Sequence, residues 1–189
     1  MRFAVLWIEA GSRTVTSEAQ RLVGLLAELA EQDDRLTPWE LNLFDGGGRV
    51  PCTTPHVELA LQQGIVEGND ELLGDCRHFT RTFYVFVRDE VLASLFVTVG
   101  TRHEGPKGTW APNRVVLQYP FNTSLALAEQ TLTVLIRTFG ALWAVVDDGA
   151  VMLGHPEAPG TPRVGYLTYL DQAYGRAEEL PEGATSRIV

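Results

Sequence analysis

The chain has 189 residues, 45% of them hydrophobic and 21% charged, which suits one ordinary domain that buries about 70% of its unfolded surface without staples. Its 15 basic and 24 acidic side chains leave a net charge of −9, so the basic footprint of a nucleic-acid binder is missing. No apolar run reaches the about 18 residues of a membrane-spanning helix, and the opening MRFAVLWIEAGSR is too briefly apolar for an export signal; a cytoplasmic chain is expected, with two cysteines that need no disulfide framework.

Finer counts sharpen this. Lys107 is the only lysine, so chemistry that needs a lysine has one candidate. Residues 1–75 hold 13 acidic and 5 basic side chains, whereas residues 76–189 are close to balance. The acidity therefore acts in the first two-fifths of the chain.

In chain order, Arg2 to Ile8 is a short apolar run that suits a buried strand. Residues 17–34 follow, with Leu22, Leu25, Leu26 and Leu29 recurring at three and four, an amphipathic helix. Thr16 or Ser17 is expected to cap it, Ser17 with Gln20 fitting a capping box, and it should end near Asp33. Gly24 inside it costs about 1 kcal/mol relative to alanine unless something packs closely there. WELNLF, residues 39–44, alternates with period two and predicts a half-exposed strand. DGGGRVPCTTP is a loop by composition. Thr54 and Pro55 start a helix expected over His56 to Val66, stopping at Gly68, with a further helical turn at Asp70 to Leu73.

From Phe79 the residues become β-branched and aromatic, interrupted by Arg88-Asp89-Glu90, which predicts a β-hairpin. Residues 101–113, TRHEGPKGTWAPN, form a long loop of the kind that is often functional. RVVLQYP is a third strand beside the hairpin. Thr123 or Ser124 caps a helix to about Phe139, with Leu125, Ala128, Leu132, Leu135 and Ile136 inward. LWAVVDDGAVMLG carries two short apolar runs around a turn, HPEAPGTPR is a loop, and VGYLTYL is a last apolar segment. The expected fold class is α+β: a single domain over residues 1–175 with a mainly antiparallel sheet covered by helices, and a weakly ordered tail over 176–189.

Chemical constellations are sparse. Cys52, His56, Cys76 and His78 could supply four zinc ligands, but their spacing is atypical and the plainer reading is two small buried thiols and two surface histidines, so no metal and no cofactor is expected. There is no GxSxG elbow, and Ser12, Ser17, Ser94, Ser124 and Ser186 sit at helix starts, in a strand or in the tail. Gly46-Gly47-Gly48 lacks the Lys-Ser or Lys-Thr of a phosphate loop, and Lys107 lacks its glycine spacing. The adjacent pairs Asp33-Asp34, Asp147-Asp148 and Glu178-Glu179 point apart on any regular element. No catalytic residue is assigned.

What remains is a surface. Glu28, Glu31, Asp33, Asp34, Glu58, Glu67, Asp70, Glu71 and Asp75 fall on the expected helix exteriors and the loops after them. The plain reading is an acidic surface that keeps the chain dispersed. The functional reading is a patch that steers a basic partner. Trp110, flanked by Arg102 and Glu104 in the 101–113 loop, is either an interface anchor or a plug on the core.

The ordered motifs resemble the bacterial family catalogued as immunity protein 52. An apolar strand ends in Trp7; Ser12 or Ser17, Ala19 and Arg21-Leu22 follow, then LLAELAEQDDRLTPW ending at Trp39. The hairpin precedes NRVVLQYP, and Trp143-Ala144-Val145-Val146 precedes VGYLTYL, so the resemblance touches most of the chain. Tyr166 stands where the family has tryptophan, and the loop 44–56 is peculiar to this chain. The resemblance implies a cytoplasmic, non-enzymatic immunity protein of a polymorphic toxin or type VI secretion system. Its partner is then a cognate toxin domain, a DNase of restriction-endonuclease fold, with no nucleic acid or membrane bound. Gly165, Tyr166, Thr168 and Tyr169 match a family segment read as closing the core. The residues expected at the toxin are Glu58, Glu67, Asp70, Glu71, Asp75, Arg102, Glu104 and Trp110. Two other readings stand beside this one: a small hydrolase using His103 and Glu104, and an acidic DNA-mimic regulator.

Overall fold

The computed structural model describes residues 1–7, 14–43, 48–70, 74–99, 113–119, 123–147 and 166–171; along 66–70 and 74–79 it describes the backbone alone. Within them lie three helices, α1 (Val15–Gln32), α2 (Thr54–Gln63) and α3 (Leu125–Phe139). The strands are β1 (Arg2–Trp7), β2 (Trp39–Asn42), β3 (Arg49–Pro51), β4 (Ile65–Asp70), β5 (Gly74–Val87), β6 (Glu90–Val99), β7 (Asn113–Gln118), β8 (Trp143–Asp147) and β9 (Leu167–Leu170). They form one antiparallel sheet in the order β3-β2-β5-β6-β7-β1-β8-β9, with β4 paired to β5. The fold is α+β.

The alternation of apolar residues decides which sheet face is covered. Phe83, Leu95, Leu117, Phe3 and Val146 stand opposite one another across five strands and are fully buried. Leu22, Leu25, Leu26 and Leu29 of α1 and Ala128, Leu132 and Leu135 of α3 meet this face. Helix α1 packs on both other helices, α2 on β2 and β5, and α3 on β1 and β8. Ser124 caps α3 through its side chain, and Gly140, in the left-handed region at φ 60°, ends it.

Several expectations are corrected. The cap of α1 is Thr14, whose side chain accepts from the Ser17 amide, while the Ser17 hydroxyl donates back to the Thr14 carbonyl instead of forming a capping box with Gln20. Helix α2 stops at Gln63, and the expected helix end at Ile65 and Val66 is the start of strand β4, which runs to Asp70; the rest of the expected helical turn, 71–73, lies outside the described residues. The reason is tertiary. The Gly64 carbonyl accepts from the Thr80 amide at 3.1 Å, and a Cβ at Gly64 would lie 2.6 Å from the Thr80 oxygen. Buried Arg81 donates through Nε to the Ala60 carbonyl at 2.6 Å, occupying the helix end where cations are favoured. The chain must therefore leave the helix at Gly64, and Ile65 starts pairing with Phe79. A three-residue strand, β3, lies in the segment expected to be loop. Leu125, expected inward, is exposed because it opens α3 beyond the sheet contact, and Tyr166, expected to close the core, is 55% exposed while its neighbours Leu167 and Tyr169 pack inward. Residues 172–189, including the expected tail, lie outside the described residues.

Candidate functional site

The helical layer carries the charge. Helices α1, α2 and α3 and the short 3-10 turn Asp34–Leu36 with its cap Asp33 hold seven acids and three arginines. Two of the acids are consumed internally. Glu18, in the first turn of α1, is buried and accepts from Arg21 Nη2 at 2.7 Å and Nε at 3.0 Å. The Arg21 guanidinium lies over Phe139 at 4.7 Å and Trp7 at 5.5 Å, two rings that stack on each other. At the other end of α1, buried Asp33 accepts from Arg35 through Nε and Nη2 and from the Tyr119 hydroxyl at 2.8 Å. The Arg35 hydrogen bond is the main cause that holds the Asp33 carboxyl at about 2, against the opposing effect of burial. Burial first, and then the bond to Asp33, push the Tyr119 hydroxyl well above its usual range. Both clusters brace α1 against the sheet.

The outward acids are Glu28, Glu31, Asp34, Glu58 and Glu129. Glu31 and Asp34 are exposed, and the other three are half-buried. Glu58 accepts from the Thr16 hydroxyl at 2.8 Å, which ties α2 to α1. Glu28 pairs with Arg137 across α1 and α3. The outer side of the helical layer thus carries five acids and, on Arg35 and Arg137, two exposed arginines.

The residues expected from the sequence divide among several places. Glu58 lies in this layer. Glu67 and Asp70 are on β4 and Asp75 on β5, so they belong to a hairpin and not to a helix exterior; Glu67 stands opposite Arg77 in the register, and Asp75 opposite Asn69. Asp33 is not on an exterior but buried in its own ion pair. Glu71, Arg102, Glu104, Trp110 and His103 lie outside the described residues, as do Ser12 and Ser186. Glu129 went unnoticed in the sequence because its half of the chain is nearly neutral, and its three-residue offset from Ala126 and Leu132 reads as ordinary helix surface.

The other candidates are accounted for where they are described. Ser94 donates to Gln118 at 3.1 Å, and Ser17 and Ser124 serve the helix starts. Burial pushes the Cys52 thiol up to about 12, so at neutral pH it is a thiol and a poor nucleophile. His56 Nδ1 is 2.8 Å from the Pro51 carbonyl. Among the described residues no group of three or more His, Cys, Asp or Glu is placed to hold a metal, and no helix is long and apolar enough to cross a membrane. Comparison with protein-family models and with curated proteins returns no match.

Proposed function

We propose that this chain is an immunity protein: it resides in the cytoplasm and binds a cognate secreted toxin, a DNase of restriction-endonuclease fold, blocking its active site or substrate entry. The observation that carries the reading is the placement of Glu28, Glu31, Asp34, Glu58 and Glu129 on one helical surface whose remaining acids, Glu18 and Asp33, are buried in ion pairs. A nuclease must present a basic face to a polyanion, and a helical layer with an excess of acids complements it. The segments that resemble immunity protein 52 lie on β1, α1, β2, the β5–β6–β7 strands, β8 and β9, so the resemblance follows the sheet and the long helix.

The protein acts by binding and needs no catalytic group. The test is survival: the adjacent toxin-like reading frame is expressed in a bacterial host with and without this protein. Rescue together with co-purification supports the reading. Death in both cases, with no complex formed, refutes the pairing. A DNA-mimic regulator would share the acidic layer and is distinguished by salt-sensitive binding to many basic proteins, where an immunity protein holds one partner tightly.

A further inference from the structure

We draw no further inference here: the strongest candidate, the sheet face away from the helices, where Tyr84, Phe96 and Val116 lie half-buried on β5, β6 and β7, carries nothing because nothing in the structure shows what covers it.

Discussion

Replacing Asp33 with asparagine should weaken the fold at neutral pH and remove a part of its acid sensitivity. The carboxylate is buried, receives two side-chain bonds from Arg35 and one from Tyr119, and titrates at about 2 in place of 3.8. A depressed folded-state value means the unfolded chain takes up the proton first. The stabilisation is therefore complete above about pH 4.5 and is lost as pH falls toward 2. The difference converts to about 2 kcal/mol at most, and solvent around Arg35, whose side chain is 41% exposed, reduces it toward about 1 kcal/mol. The Asp33→Asn side chain keeps the shape but offers no charge, so urea unfolding followed by tryptophan fluorescence should show a loss of about 1–2 kcal/mol at pH 7. Trp7 and Trp39 are buried and report the transition. The gap between the two proteins should stay constant down to about pH 4.5 and close by about pH 2. A gap that is absent at pH 7, or that persists undiminished at pH 2, refutes the assignment of the ion pair.

The same alanine substitution should have opposite signs at two glycines. Gly24 lies in the middle of α1, where an added methyl would meet nothing within 4 Å, so Gly24→Ala gains up to about 1 kcal/mol; Gly64→Ala drives a methyl against the Thr80 backbone oxygen and loses about 1–3 kcal/mol. Thermal melts of both variants check the pair, and a stabilised Gly64→Ala contradicts the packing argument. In a Cys76→Ser background, Cys52 should resist a thiol reagent at pH 8 in the native state and react fully in urea, because burial keeps it protonated; fast native labelling contradicts this. Replacing Glu67, Asp70 and Glu71 with lysines should slow toxin association and flatten its salt dependence, as read by stopped-flow mixing. Unchanged association removes this hairpin from the interface.

The local patterns were readable in one dimension. The apolar run from Arg2 to Ile8 predicted strand β1, though not that Phe3, Val5 and Trp7 form its covered face, and the leucines of α1 identified its inner stripe, because a helical periodicity reports which side of a single element is apolar. The same reasoning recovered the hairpin, the strand after it and the Ser124 cap. Charge counting found the acidic first part of the chain. It missed that Asp33 turns inward, since its partner Tyr119 lies 86 residues away. It also read β4 as helix: Ile65 and Val66 have strand character, but the signal that ends α2 is the approach of Thr80 and Arg81 to Gly64 and Ala60, contacts made only after β5 is in place. The insertion of β1 between β7 and β8 follows from long-range register and leaves no local trace. The pairing of Glu28 with Arg137 joins side chains 109 residues apart, so it is set by how two helices lie on one sheet and by neither helix alone.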